Sequence, residues 1–215
     1  MKKANTPKKQ TMGIFVNHPQ CELDCAHAMA SIFKPAFNVR MFTIEDFLPE
    51  ILDDFDIIAF PGGIGDADDF DMIFSDYDVE TLKNYLANGG KYLGICMGAY
   101  WAGKNYFDIL GDADAVQYIT RPGADIVTEY ETIANVTWFA ENRKMYFYDG
   151  CAFIGDISED DIIARYTNGD PMAIIKNNVG VIGCHPESEQ WWHKTIGYWD
   201  KGRNNHLLLE FAVTI

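Results

Sequence analysis

The first half of the chain alternates between short apolar runs and amphipathic segments. The apolar runs predict four buried strands, over Met12–Asn17, Val39–Thr43, Asp56–Phe60 and Tyr92–Ile95. The segments between them predict helices over Leu23–Phe33 and Val79–Ala87, and Ser75 with Asp78 three residues on is typical of a helix N-terminus. Strands separated by helices indicate a parallel sheet that is covered on both faces.

The second half of the chain carries shorter apolar runs with turn signals between them. They predict five strands, over Ile133–Phe139, Lys144–Tyr148, Ile162–Tyr166, Ala173–Lys176 and Val179–Cys184. The Asn-Asn-Val-Gly stretch at 177–180 predicts a hairpin turn, and Asn205–Ala212 predicts a closing helix. We therefore expect one domain over residues 11–215, preceded by a flexible tail over residues 1–10.

Composition narrows the classes of function. The 215 residues carry a formal net charge of −15, which argues against nucleic acid and anionic membranes as partners and is explained most simply by solubility. No apolar run is long enough to cross a bilayer. The five cysteines are odd in number and lack the spacing of a disulfide framework, which indicates a reducing, cytoplasmic setting.

Residues 91–103, KYLGICMGAYWAG, contain the candidate nucleophile. A predicted strand ends at Ile95, Cys96 follows at a glycine-flanked turn, and a small-residue helix is predicted over Ala99–Gly103. Cys96 would then lie at the positive end of a helix dipole, which favours a reactive thiol. A buried structural cysteine is the alternative interpretation.

A second cluster, Gly183-Cys184-His185-Pro186-Glu187, follows the predicted strand that starts at Val179. Reactive groups collect at the carboxyl ends of strands in α/β sheets, so we expect His185 to face Cys96. Glu187 would bind the far imidazole nitrogen and complete a triad in which Cys96 attacks and His185 moves the proton. A structural histidine before a proline turn is the alternative.

The stretch Pro61-Gly62-Gly63 lies just after the third predicted strand. Its glycines leave backbone N–H groups open toward the neighbouring strand end. Together with the N–H of Met97, the N–H groups of Gly62 and Gly63 form a candidate oxyanion hole for a tetrahedral intermediate. An ordinary strand-to-loop turn is the other interpretation.

Three motifs in this order resemble class I glutamine amidotransferases: PGG at 61–63, GICMG at 94–98 and HPE at 185–187. The resemblance implies an α/β, flavodoxin-like three-layer sandwich with a mostly parallel central sheet, and a cysteine, histidine and glutamate triad that hydrolyses an amide. Two further motifs, YFYDGCAF at 146–153 and ARY at 164–166, are similar to the N-terminal domain family named for biotin-protein ligases. The likeness extends roughly from Met12 to Glu189.

Candidates for substrate binding are Tyr100, which packing alone also explains, and the motif residues Tyr148, Asp149 and Gly150. The family commonly has Asn-Gly-Gly where this chain has Asp-Gly-Cys at 149–151. Arg121 follows a strand-like segment over residues 115–119 and is a candidate to clamp a substrate carboxylate. A surface arginine beside a turn is the alternative.

Other side chains that often bind metals or ligands are weaker candidates. Four such side chains lie close together in the sequence, at His18, Cys21, Cys25 and His27. Their spacing is not that of a zinc site, so we predict neither a metal nor a cofactor. Three tryptophans follow the histidine cluster, at Trp191, Trp192 and Trp199. They either line the pocket, form a partner surface or cover the edge of the sheet.

These observations favour a cysteine-dependent amidohydrolase, or a glutamine amidotransferase-like enzyme, that acts on a small amide or acyl substrate. The residues contain no biotin-binding or synthetase domain, so we expect no biotin attachment by this chain alone, and ammonia transfer would need a separate synthetase or ligase partner. A second hypothesis is a PfpI-type cysteine peptidase, although that family usually has His directly after the cysteine, where this chain has Met97. A third is a non-catalytic binding or regulatory module on the same scaffold.

Overall fold

The fold is built on one nine-stranded sheet. The structure, a computed structural model, describes residues 9–17, 21, 23–63 and 69–215. The strands of this sheet lie in the order β2-β1-β3-β4-β11-β10-β9-β6-β7, and β5 and β8 form a separate antiparallel pair. The strand bounds are β1 Thr11–Phe15, β2 Asn38–Phe42, β3 Ile57–Phe60, β4 Lys91–Ile95, β5 Ala113–Gln117, β6 Thr132–Trp138, β7 Glu141–Phe147, β8 Cys151–Gly155, β9 Ile162–Tyr166, β10 Pro171–Lys176 and β11 Val179–Ile182.

The nine-stranded sheet has a parallel half and an antiparallel half. Strands β2, β1, β3, β4 and β11 run parallel, which confirms the arrangement predicted from the alternation of strands and helices. From β11 onward each neighbouring pair is antiparallel. The predicted hairpin turn joins β10 to β11, and Asn177 adopts a φ of 55° there, a conformation that asparagine tolerates well.

Helices cover both faces of the sheet. Their bounds are α1 Leu23–Phe33, α2 Pro49–Leu52, α3 Phe70–Ile73, α4 Asp76–Ala87, α5 Met97–Tyr100 and α6 Asn205–Thr214. Helices α1 and α6 contact each other and contribute to one core cluster, while α2 and α4 contact each other and contribute to a second. The predicted N-terminus of α4 is confirmed, because Ser75 and Asp78 form a reciprocal capping box.

The second core cluster is rich in aromatic rings. Seven buried rings in mutual contact fill the space beneath the parallel strands: Phe15, Phe42, Phe47, Phe60, Phe74, Trp101 and Phe107. Trp101 follows the elbow helix directly, so this packing fixes the base of that helix. Aromatic burial of this kind stabilises a core strongly and leaves little room for movement.

Several predicted element bounds differ from the structure by one to three residues. The helix predicted over Ala99–Gly103 is the shorter α5, which begins directly after Cys96. Strand β11 ends at Ile182, so Cys184 lies beyond it, and Ile119 lies in a 3-10 turn after β5. The sequence patterns do not predict strand β8, because β5, the strand with which it pairs, lies far away along the chain.

Two predictions about the whole chain stay predictions. A single domain over residues 11–215 is one, and a flexible tail over residues 1–10 is the other, with residues 1–8 lying outside the described residues. The five cysteines are all free and buried. Within the described ranges, every helix is too short or too polar to span a membrane.

Candidate active site

The turn at Cys96 is a strained elbow between β4 and α5. Cys96 has a φ of 50° and a ψ of −106°, a conformation that L-residues rarely adopt and that costs on the order of 1–3 kcal/mol. A side chain on Gly98 would collide with the backbone of Phe60, so only glycine allows the helix to pack this closely on β3. The Cys96 N–H donates to the Ile182 carbonyl at 2.9 Å and thereby ties the elbow to the end of β11.

His185 is held from several sides at the end of β11. Its backbone N–H donates to the Tyr146 carbonyl at 2.9 Å, and its ring lies 5.7 Å from the Trp192 ring between centroids. The Nδ1 atom lies 2.8 Å from Oε1 of Glu187, and both side chains are buried. This contact fixes the orientation of the imidazole and leaves Nε2 for a reactive partner.

The electrostatics of His185 join it to Cys96. Burial lowers the pKa of His185, but charge interactions with Cys96 and Glu187, together with hydrogen bonds that the ring donates to the sulfurs of Cys25 and Cys96, outweigh burial and raise that pKa well above its ordinary value. The contacts with Cys96 and Glu187 therefore favour the imidazolium form over the neutral ring. Cys96 and His185 are 89 residues apart in the sequence, but they lie close together because the ends of β4 and β11 are neighbours.

The residues of the predicted oxyanion hole lie beside Cys96 and His185. A side chain on Gly62 would place its Cβ 2.5 Å from Cε1 of His185, so the Pro-Gly-Gly loop lies directly against the imidazole. The Gly98 N–H donates to the Pro61 carbonyl at 3.3 Å, which links this loop to the elbow. Gly63 pairs with Cys21 in an isolated bridge, and Met97 is the first residue of α5. Donation to an oxyanion by the N–H groups of Gly62, Gly63 and Met97 stays a proposal.

The predicted substrate-binding residues at 148–150 lie beside Cys96. The Cys96 thiol is 3.5 Å from the Tyr148 carbonyl oxygen, and the Tyr100 hydroxyl donates to the Asp149 carbonyl at 3.1 Å. The Asp149 carboxylate accepts from the Gln117 side chain at 2.7 Å. Gly150 packs so closely on the Gly183 carbonyl that any side chain would collide with it. These residues form a wall of the site, and substrate contact by any of them stays a prediction.

Arg121 lies in a different environment. Its guanidinium forms a two-point ion pair with Asp170, at 2.8 Å from Nε and 3.3 Å from Nη2. Asp170 also accepts from the Asn168 side chain at 2.9 Å, and its pKa is lowered, chiefly by the hydrogen bond from Arg121. This pairing accounts for Arg121 without a substrate, so its predicted role as a carboxylate clamp has no support in the contacts of the described residues.

Cys25, which the sequence interpretation named only as a weak metal candidate, lies beside His185. It lies in the first turn of α1, is buried, and hydrogen-bonds with His185. Burial raises the pKa of the Cys25 thiol to about 12. One signal was available, because α1 starts close to the carboxyl edge of the sheet, where the triad was expected.

The remaining candidates divide between the site and the surface. Trp192 packs against His185 and Tyr146 and therefore lines the site, whereas Trp191 is exposed. Trp199 packs against His193. His27 is exposed on α1, away from the buried Cys25, and His18 lies outside the described residues.

A comparison with known proteins identifies the class of fold. A family model described as biotin-protein ligase, N terminal, matches residues 18–116, and no curated protein matches the sequence. The chain is similar to a solved glutamine amidotransferase with 14% identity and a TM-score of 0.65, over 94% of this chain and 98% of that chain. It is also similar to PurLQS from Thermotoga maritima, with 14% identity and a TM-score of 0.60, over 96% of this chain and 99% of that chain.

The chain is also similar to a third solved structure, a glutamine amidotransferase from Thermotoga maritima. The identity is 14% and the TM-score is 0.59, over 95% of this chain and 90% of that chain. The protein has the class I glutamine amidotransferase-like fold. The fold predicted from the motifs is confirmed, and the predicted likeness to the biotin-protein ligase N-terminal family is confirmed over residues 18–116.

Proposed function

We propose that the protein is a cysteine-dependent amidohydrolase of the glutamine amidotransferase type. One observation carries the proposal: Glu187 holds His185 at 2.8 Å, and His185 also interacts with Cys96 at a strained elbow. A nucleophile, a base and an orienting carboxylate in this order are the parts that acyl transfer requires. The fold shared with solved glutamine amidotransferases supports the same reaction class.

In the proposed reaction, the Cys96 sulfur attacks the carbonyl carbon of a small amide or acyl substrate. The C–S bond forms, and the carbonyl oxygen becomes an oxyanion that accepts from the backbone N–H groups of Gly62, Gly63 and Met97. The His185 imidazolium gives its proton to the leaving nitrogen as the C–N bond breaks, which leaves a thioester on Cys96. His185 then takes a proton from water, the resulting hydroxide attacks the thioester, and the thiolate departs with the acid released.

The fate of the ammonia is a separate proposal. The resemblance to glutamine amidotransferases implies transfer to an acceptor, and this requires a separate synthetase or ligase partner. Release of free ammonia by the chain alone would define a simple amidase. Assay of ammonia with and without candidate partner proteins distinguishes the two.

The proposed function is tested by covalent trapping. The protein is incubated with an electrophilic glutamine analogue, and the adduct is located by intact-mass and peptide-mass analysis. We expect one adduct, on Cys96, that forms more slowly in the presence of the amide substrate. The thiol of Cys184 is the internal control, because it is buried against Tyr166 at 3.6 Å from the hydroxyl.

A panel of substrates separates the rival hypotheses. Primary amides, glutamine and peptides are each offered to the same protein, and released ammonia and new amine termini are measured. Peptide cleavage without hydrolysis of glutamine or the other primary amides would instead support a cysteine peptidase. A protein that binds panel members without turning any of them over, and without labelling at Cys96, would be a binding module.

The Glu187→Gln variant is expected to reduce kcat by about 10³- to 10⁴-fold, because a neutral amide neither stabilises the imidazolium nor selects its tautomer. The Glu187 charge contributes to the raised pKa of His185. Its removal should therefore lower that pKa and move the alkaline limb of the kcat/KM profile to lower pH. An unchanged alkaline limb would show that the limb belongs to another group.

A further inference from the structure

Three side chains of types that can bind metals lie close together at the triad. A sulfur of Cys25, a ring nitrogen of His185 and a carboxylate oxygen of Glu187 lie within 4.8 Å of one another, and all three residues are buried. Cys25 comes from α1 and the other two come from the segment after β11, so three-dimensional packing alone creates the cluster. The amidase reaction proposed above makes no use of Cys25.

Two further observations suggest that the cluster accommodates a ligand. The second carboxylate oxygen of Glu187, Oε2, is buried and has no hydrogen-bond partner among the described residues. Gly62 borders the cluster, since a Cβ there would lie 2.5 Å from Cε1 of His185 and 3.4 Å from the Cys25 sulfur. Glycine at this position therefore keeps the space beside the imidazole and the thiol free of a side chain.

We propose that Cys25, His185 and Glu187 form a binding site for a thiophilic divalent cation of the Zn²⁺ type, and that an occupied site silences the triad. A thiolate, an imidazole and a carboxylate are the donor types that zinc takes in proteins, with a fourth position left for water or another ligand. One thiolate and one carboxylate balance the charge of the cation, which makes its burial possible.

The distances allow the cation with a small adjustment. Zinc–nitrogen and zinc–oxygen bonds of about 2.0–2.1 Å place tetrahedral ligand atoms about 3.3 Å apart. His185 Nδ1 and Glu187 Oε1 lie 2.8 Å apart and share a proton, so the cation takes the place of that proton and the pair opens by about half an ångström. Binding also releases the Cys25 thiol proton, so affinity should rise with pH.

Occupation would interrupt catalysis because a ligated His185 cannot carry the proton that the reaction moves. The inhibitory part of the inference rests on the proposed amidase function, whereas the metal site itself does not. Binding and turnover are therefore measured separately.

The experiment titrates the metal-free protein with Zn²⁺ in competition with a chromophoric chelator, under a reducing agent that does not bind metals. We expect one zinc per chain. The Cys25→Ser variant should bind at least about tenfold more weakly, the loss that removal of even an outer-shell partner can cause. The matched control is Cys184→Ser, whose thiol is next to His185 in sequence but contacts Tyr166 instead, and which should bind as the wild type does.

Two additional readouts keep the inference testable if Cys25→Ser folds poorly. Co²⁺ in place of Zn²⁺ should give sulfur-to-metal charge-transfer absorption in the wild type, and Glu187→Gln should weaken zinc binding independently of any cysteine change. Failure of the wild type to bind zinc, or equal affinity of wild type, Cys25→Ser and Glu187→Gln, would overturn the proposal.

The two proposals fail in different ways. If zinc binds through these residues and no amide is hydrolysed, the metal site stands and the proposed amidase function is lost. If amides are hydrolysed and saturating zinc leaves kcat unchanged, the inhibitory part of the inference is wrong.

Discussion

The Cys96→Ala variant is expected to lose amide hydrolysis by about 10⁴- to 10⁶-fold, the range seen when the nucleophile of a catalytic triad is removed. Alanine carries no atom that can form the acyl intermediate, so only general binding and oxyanion contacts remain. The loss should appear in kcat and in kcat/KM alike, because in the proposed reaction only Cys96 makes the covalent step. Steady-state and single-turnover assays on the same amide measure it.

The structure provides a control for this prediction. Cys96 holds a φ of 50° in the wild type, and alanine at this position keeps the same backbone requirement without adding bulk. The melting temperature of the variant should therefore stay close to that of the wild type, and Cys184→Ser should retain full activity. Hydrolysis at the wild-type rate by Cys96→Ala would show that another group is the nucleophile.

Raising the pH above 9 is expected to destabilise the fold steeply. Burial raises the pKa values of the Cys21, Cys25 and Cys184 thiols from 9.0 to about 12, and it raises that of Cys151 further. A group whose folded pKa is raised gives its full stability below the unfolded pKa and loses it as the pH increases. As the pH rises past 9, the loss from each thiol approaches about 1.4 kcal/mol per pH unit, so the loss from the four together approaches about 6 kcal/mol per unit.

This loss is comparable to the whole stability of a typical domain, about 5–15 kcal/mol. Urea unfolding at pH 8, 9 and 10 under a reducing agent measures it. Cys184→Ser has one ionisable thiol fewer, so its free energy of unfolding should fall less steeply with pH. The difference in slope should correspond to one ionising group. A free energy of unfolding that stays constant between pH 8 and 10, or an equal slope in the variant, would contradict the prediction.

The architecture was predictable because its signals are local. Apolar runs and amphipathic segments are set by neighbouring residues, and so Leu23–Phe33 and Ile162–Tyr166 have the bounds predicted for them. The meeting of Cys96 and His185 was also predictable, since parallel strands bring their carboxyl ends to one edge.

The remaining contacts depend on pairings over long distances in the sequence. Cys25 contacts His185 from a helix 160 positions earlier, and Arg121 binds Asp170 across 49 positions. Neither partner is marked by a local pattern. A sequence shows that an arginine is present, but only packing shows that a carboxylate already occupies its donors.

Strand β11 aligns Ile182 with Ile95 of β4, and this alignment brings the histidine to the cysteine. Side chains alternate between the two faces of a strand, so a shift of one position would turn the residues after β11 toward the opposite layer. The proposed site therefore forms only after the hairpin of β10 and β11 has docked in its correct alignment. If the proposed activity is present, its recovery during refolding should lag behind recovery of the helical signal, because the site forms last.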